Sequence, residues 1–246
     1  MQRLRRLIAD RRARRADAAF IIEGPQLVDE AVAAGVEFEA QFIPVDRPES
    51  SIGGAGPVHL LSPGVFERVA PTEQPRPPVA VARATEHDAR AILQHAAFIV
   101  ALEAIADPGN LGTIIRSAEA AGADGVVLTP GSVDPHNPKV VRAAAGSLFR
   151  IPVLEASLSD VHDGGLTLWG TTSHSEQSPQ AYDRADLTGR VAVVLGTEAH
   201  GLSADAVGYI DRWLTIPHAG PAESLNVAMA GTVLAFEVRR QRAAEL

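Results

Sequence analysis

Residues 98–116 read Phe-Ile-Val-Ala-Leu-Glu-Ala-Ile-Ala-Asp-Pro-Gly-Asn-Leu-Gly-Thr-Ile-Ile-Arg. The apolar run 98–105 has the composition of a strand, Pro108 and Gly109 make a turn, and 111–121 continues with helical periodicity. Asn110 stands where an N-cap is expected. A strand that feeds a helix through a tight loop is the repeating unit of a parallel sheet.

The alternation continues on the C-terminal side. Segments 125–129 and 152–155 read as strands around a helix at 138–148, and 166–171 and 191–195 are two more apolar strands. A long helix over 225–240 follows, with Arg239, Arg240 and Arg242 near its dipole-negative end. Residues 95–246 are therefore expected to form an α/β domain whose parallel sheet is covered on both faces. On the N-terminal side, 26–34 reads as a helix closed by Gly35, and 40–45 and 58–61 as strands. Pro71, Pro75, Pro77 and Pro78 then break the pattern. The expectation is a small α/β domain over 1–80 and a linker over 81–94.

Composition narrows the function classes. The 246 residues are 46% hydrophobic and 21% charged, as in ordinary globular proteins. No apolar run reaches the ~20 residues that span a bilayer, no secretory h-region begins the chain, and a cytoplasmic protein is expected. There is no cysteine, and the eight histidines lack ligand spacing, so no metal site is expected. Dinucleotide, P-loop, nucleophile-elbow and zincin motifs are all missing.

The net charge of −8 argues against nucleic acid, but its distribution does not. Arg3, Arg5, Arg6, Arg11, Arg12, Arg14 and Arg15 crowd the first fifteen positions, with Leu4, Leu7 and Ile8 interleaved at helical spacing. Such a run is either a solvated helix face or a footprint for phosphate contacts.

Three segments carry candidate chemistry. The first is residues 107–116, from Asp107 to Arg116, at a strand-to-helix junction where open α/β sheets bind ligands. The second is Leu195-Gly196-Thr197-Glu198-Ala199-His200-Gly201-Leu202, in which two glycines flank a carboxylate and permit close backbone approach. The third is Ile216-Pro217-His218-Ala219-Gly220-Pro221-Ala222-Glu223-Ser224-Leu225-Asn226, which brings polar groups to the start of the last helix. Each segment alone has a plain structural reading, as a helix cap or a strand exit.

In this order and spacing the three closely resemble the motifs of the SpoU (TrmH-type) branch of the SPOUT methyltransferases, over about residues 98–241. The Arg-rich start and Phe20-Ile21-Ile22-Glu23-Gly24 resemble that family's small RNA-binding domain, which is similar to L30e/L7Ae ribosomal proteins. The resemblance implies a parallel-sheet domain with a deep trefoil knot, an exception to the rule against threaded chains. It implies S-adenosylmethionine-dependent 2′-O-methylation of a ribose in RNA, ribosomal RNA first and transfer RNA as the alternative. A non-catalytic RNA-binding protein on the same scaffold and a base-methylating enzyme are the other classes. The resemblance assigns the methyl-transfer site to Arg116, Asn110, Glu198, Ser224 and Asn226. Thr171, Leu195, Gly196, Ile216, Leu225 and Asn226 would hold the cofactor, and Arg3, Arg5, Arg11, Arg12, Arg14 and Arg15 the RNA. It also implies a homodimer through the C-terminal domain, for which Val227, Met229, Val233, Leu234 and Phe236 give a physical motive. His218 departs from the family, where methionine is common, and is expected to face solvent.

Overall fold

A computed structural model describes residues 1–173, 175–197, 201–220 and 224–243. In chain order the first elements are α1 (Gln2–Ala9), α2 (Arg11–Asp17), β1 (Ala19–Glu23), α3 (Pro25–Ala33), β2 (Phe38–Pro44), β3 (Val58–Leu61), α4 (Pro63–Val69) and β4 (Val79–Arg83). Then come α5 (Ala89–His95), β5 (Phe98–Leu102), α6 (Pro108–Ala121), β6 (Gly125–Leu128), α7 (Pro138–Ala143), β7 (Val153–Glu155) and α8 (Leu158–Asp163). The chain continues through β8 (Thr167–Thr171), β9 (Gln180–Ala181), β10 (Val191–Leu195), α9 (Ala204–Val207), β11 (Arg212–Thr215) and α10 (Val227–Ala243). These elements divide into two units, one of Met1–Glu86 with Asp134–Arg150, the other of His87–Val133 with Ile151–Leu246.

The first unit is built on a sheet of order β1-β4-β2-β3, in which β4 runs antiparallel to both neighbours and β2 pairs parallel to β3. Strands β1 and β4 alternate strictly. Ile21, Val79 and Val81 face Leu4 and Leu7 of α1 and Phe66 of α4, while Phe20, Ile22, Ala80 and Ala82 face Val28 of α3 and Val141 of α7. The basic run folds as two helices rather than one. Asp10 ends α1 and caps α2 by accepting from the Arg12 N–H at 2.8 Å.

Three expectations are corrected here. Residues 81–94 are not a linker: Val79–Arg83 is the inner strand β4, Ala89–His95 is helix α5, and the units divide after Glu86. A strand covered on both faces shows no polar alternation, so Val-Ala-Val-Ala after a proline cluster gives little signal. The helix expected over 138–148 stops at Ala143, because Ala145 and Gly146 take left-handed backbone at φ 48° and 89°. Finally, Arg14 is no surface cation. It is 5% exposed, and its Nε donates to Asp134 Oδ2 at 2.6 Å while a terminal nitrogen donates to the Leu7 carbonyl at 2.7 Å. Arg3 remains exposed but is engaged by Asp17 at 2.7 Å and Glu39 at 2.5 Å, and it holds the Glu39 carboxyl below its usual range.

The second unit has a seven-stranded sheet of order β7-β6-β5-β10-β8-β11-β9, and every pair in it is parallel. Strands β5, β6 and β10 are buried at every position. That is the pattern of strands covered on both faces. Two strands escaped the sequence reading. β11 carries Arg212 at an exposed position, and β9 is two residues long, so neither presents an apolar run. Helix α10 begins at Val227, two residues later than expected, because Asn226 serves as its cap.

Removal of the Arg14 guanidinium would leave Asp134 buried without its cation. Arg14→Ala is expected to lower the free energy of unfolding by about 3–5 kcal/mol. Urea denaturation measures this, and a loss below about 1 kcal/mol would show that the pair behaves like a surface one.

Candidate functional site

The carboxyl ends of β5, β8, β10 and β11 converge on one side of the second unit, the edge at which parallel α/β sheets present their ligand sites. A cavity of about 760 Å³ opens there. Five residues expected to hold a cofactor line it: Thr171 at the end of β8, Leu195 and Gly196 after β10, Ile216 after β11, and Leu225 before α10. Ser224 lines it as well. His218 is exposed to solvent, as expected, yet it also stands on the cavity wall.

Local chemistry explains why the chain turns as it does. At Gly196 a Cβ would lie 2.3 Å from the carbonyl carbon of Gly201 and 2.5 Å from the Leu202 nitrogen, so only glycine admits that approach. Thr197 and Gly201 exchange two backbone hydrogen bonds of 2.9 Å, closing the loop on itself, and Gly201 takes φ 65°. Thr171 Oγ1 donates to the Val194 carbonyl at 3.1 Å, tying the ends of β8 and β10 together. Glu198 was expected in this loop and lies outside the described residues.

Helices α6 and α10 pack against each other beside the cavity. Gly231 faces Leu195 and Ile114 so closely that a Cβ would meet Leu195 Cδ1 at 2.9 Å. The hydroxyls of Ser117 and Thr232 meet at 2.7 Å between the two helices. This approach brings two candidate side chains together: Asn226 Nδ2 donates to Asn110 Oδ1 at 3.2 Å. Asn226 Oδ1 meanwhile accepts from the Ala228 and Met229 N–H groups at 3.0 and 3.3 Å, which caps α10. Asn110 does not cap α6. Asp107 does, accepting from the Asn110 N–H at 2.7 Å. The Asn110 side chain is thereby released for Asn226.

Arg116 lies further along α6, exposed, and its guanidinium makes no hydrogen bond or ion pair among the described residues. It is absent from the cavity wall, as are Asn110 and Asn226. The structure thus brings together a lined cavity and a polar pair, Asn110 with Asn226, on the adjoining helices, and among the described residues Arg116 is joined to neither.

One residue with a clear structural role was missed. Glu103, just beyond β5, accepts from the Ser203 N–H at 2.9 Å and from the Ser203 hydroxyl, while its own N–H donates to the Leu195 carbonyl at 2.9 Å. It anchors the far end of the Gly196 loop to the central strand. The available signal was a carboxylate at the carboxyl end of an otherwise apolar run. Gly196→Ala tests the tightness of this loop. It is expected to cost about 1–3 kcal/mol or more by overpacking, read as a lower urea midpoint, and an unchanged midpoint would mean that Gly201 and Leu202 yield freely.

Comparison with known proteins gives a consistent result. The model of the SpoU rRNA Methylase family matches residues 97–236, and that of the MRM3-like substrate binding domain matches residues 1–80. The chain is 36% identical over 225 residues to the 23S rRNA (guanosine(2553)-2′-O)-methyltransferase RlmP of Bacillus subtilis, covering 89% of this chain and 88% of that protein. Its structure is similar to that of an AdoMet-bound rRNA methyltransferase from Sinorhizobium meliloti, with TM-score 0.85 and 29% identity over 97% of this chain and 93% of the other. It is similar as well to the AdoMet complex of the SpoU methyltransferase AviRb from Streptomyces viridochromogenes, with TM-score 0.86 and 27% identity over 99% and 97% of the two chains. With its motif segments meeting at one edge of a parallel sheet and a family match over more than half its length, the chain belongs to the SpoU rRNA methylase family.

Proposed function

We propose that this protein transfers a methyl group from S-adenosylmethionine to a ribose 2′-hydroxyl of ribosomal RNA. The observation that carries this reading is the Asn226–Asn110 bond beside a cavity lined by Thr171, Gly196, Ile216 and Leu225, in a chain of this family. Relatives named as 23S rRNA 2′-O-methyltransferases, RlmP among them, favour ribosomal over transfer RNA. A non-catalytic scaffold is disfavoured because Asn110, Arg116, Ser224 and Asn226 are all retained.

The cavity fits the cofactor. Its volume lies within the ~300–1,000 Å³ usual for such ligands, and the side-chain-free Gly196 lets the backbone approach closely. Thr171, Leu195, Gly196, Ile216 and Leu225 would hold it, with Asn226 at the adjoining helix start. When bound, S-adenosylmethionine supplies the electrophilic methyl group.

The chain's own residues then align the nucleophile and stabilise it. A guanidinium carries donors and no acceptor, so the role of Arg116 is to stabilise negative charge developing on the ribose oxygen rather than to take its proton. Asn110 and Asn226 orient substrate and arginine, with Ser224 and Glu198 completing the polar set. Arg5, Arg11, Arg12 and Arg15 contribute phosphate contacts, joined by Arg3 where it exchanges its carboxylate partners for phosphate, and Arg14 is withdrawn from that set because it is buried. The first unit is read as L30e/L7Ae-like. A trefoil knot in the second is supported by the non-sequential order β5-β10-β8-β11 and by the return of α10 onto α6 and β5. A ribosomal substrate makes the cytoplasm its place of work.

A homodimer through the second unit follows from Met229 and Phe236, which stand 63% and 45% exposed on α10. Light scattering at micromolar concentration is expected to give twice the chain mass, and Met229→Glu with Phe236→Glu is expected to give monomers. A monomeric wild-type protein with full activity would remove the dimer from this reading.

Arg116→Ala tests the mechanism. The variant is expected to fold and to bind S-adenosylmethionine normally by calorimetry, while single-turnover transfer of labelled methyl to unmethylated ribosomal RNA falls by about 10²–10³. Arg116→Lys is expected to recover only part of that rate, since an ammonium lacks the planar fork of guanidinium. Near-normal transfer by Arg116→Ala would refute the role, and lost cofactor binding would make Arg116 structural.

A further inference from the structure

A second cavity, of about 650 Å³, opens within the first unit between the start of α3, the loop 71–76 and α7. Its accessible apolar lining comes from Pro25, Leu27, Pro71 and Pro138, each exposed or half-buried. Two guanidinium groups, those of Arg76 and Arg142, belong to its wall. Both residues are exposed, and neither side chain has a hydrogen bond or ion pair among the described residues. This sets them apart from Arg3, Arg14 and Arg150 of the same unit, each paired with a carboxylate.

The polar part of the wall is ordered by one carboxylate. Glu23 Oε1 accepts from Thr72 Oγ1 at 2.6 Å and from the Arg76 N–H at 2.9 Å, which holds the 71–76 loop against β1. Those bonds leave Glu23 Oε2 without a donor among the described residues. No side chain caps α3, so its first N–H groups are open to a ligand anion. Apolar surface, two uncommitted cations, an open helix start and one waiting acceptor thus share a single cavity.

We propose that this cavity takes up one unstacked nucleotide of the RNA substrate, apart from the ribose that is methylated. Its base lies over Pro25, Leu27, Pro71 and Pro138, its flanking phosphates meet Arg76 and Arg142, and an amino-bearing base edge donates to Glu23 Oε2. Proteins read RNA sequence mainly through splayed bases in loops and bulges, and this is the combination of groups that such a base requires. The volume falls within the usual range for small organic ligands. The inference rests on the ribosomal-RNA reading above, and it names the substrate feature that the first unit grips.

The test uses the full chain and 23S rRNA transcribed without modification. Arg76→Ala with Arg142→Ala, and separately Gln26→Trp to fill the cavity mouth, change exposed positions and are checked for an unaltered melting curve. Each is expected to raise KM for the RNA by about 10-fold, the effect of one lost stacked base, with kcat and cofactor affinity unchanged. Photo-cross-links from 4-thiouridine-substituted transcript are expected in peptides covering 24–30, 71–76 or 138–145, and to be lost in both variants. An active wild-type enzyme whose variants keep KM within twofold, or whose cross-links all fall elsewhere, would overturn the proposal. Cross-links at the cavity in a protein that transfers no methyl group would support the cavity and refute the activity instead. Free nucleoside monophosphates that bind there at micromolar concentration, with no RNA cross-links, would make it a small-molecule site and overturn the proposal as well.

Discussion

Helices α6 and α10 approach because small residues line the surfaces where they meet. Gly231 gives way to Leu195 and Ile114, and a hydroxyl pair, Ser117 with Thr232, takes the place of bulkier side chains. Interiors are packed too densely for larger groups to be absorbed there without displacing a neighbour. From this approach follows the meeting of Asn226 with Asn110, more than a hundred positions apart in sequence. The polar edge of the site is therefore a consequence of helix packing, and the cap of α10 is part of it, since the oxygen of Asn226 holds the helix start while its amide reaches across.

The lined cavity depends on a second close approach, that of Gly201 and Leu202 to Gly196. Glu103 supports it from the far side by holding Ser203, so a residue at the end of the central strand positions a loop that carries a site residue. The two approaches converge at Leu195, whose side chain meets Gly231 and whose carbonyl accepts from Glu103. One strand end thus ties the helix pair to the loop.

Arginine illustrates how partners decide role. Arg14 is buried against Asp134, Arg190 donates to the carbonyls of Leu93, Gln94, Ala96 and Gly164, and Arg242 donates to those of Ala97 and Gly189. These guanidiniums are structural cross-links, for which the planar fork is well suited. Arg116, Arg76 and Arg142 have no such partner among the described residues. The net charge of the chain says nothing of this division.

The parallel sheet was legible from sequence because β5, β6 and β10 are continuous apolar runs. The motif segments were legible because turn residues and caps are local in chain. Gly196 and the cavity residues Thr171, Ile216 and Leu225 could be named as cofactor residues only through the resemblance of the three segments, taken together, to a known family. What the sequence alone could not determine was partnership at a distance. Local pattern made Arg14 one of seven equal cations, left the side chain of Asn110 without its partner on α10, and dissolved β4 into a linker. In each instance the deciding group lies elsewhere: Asp134, Asn226, and the two strands that flank β4. Burial and pairing are properties of the folded chain, and only the tertiary structure assigns them.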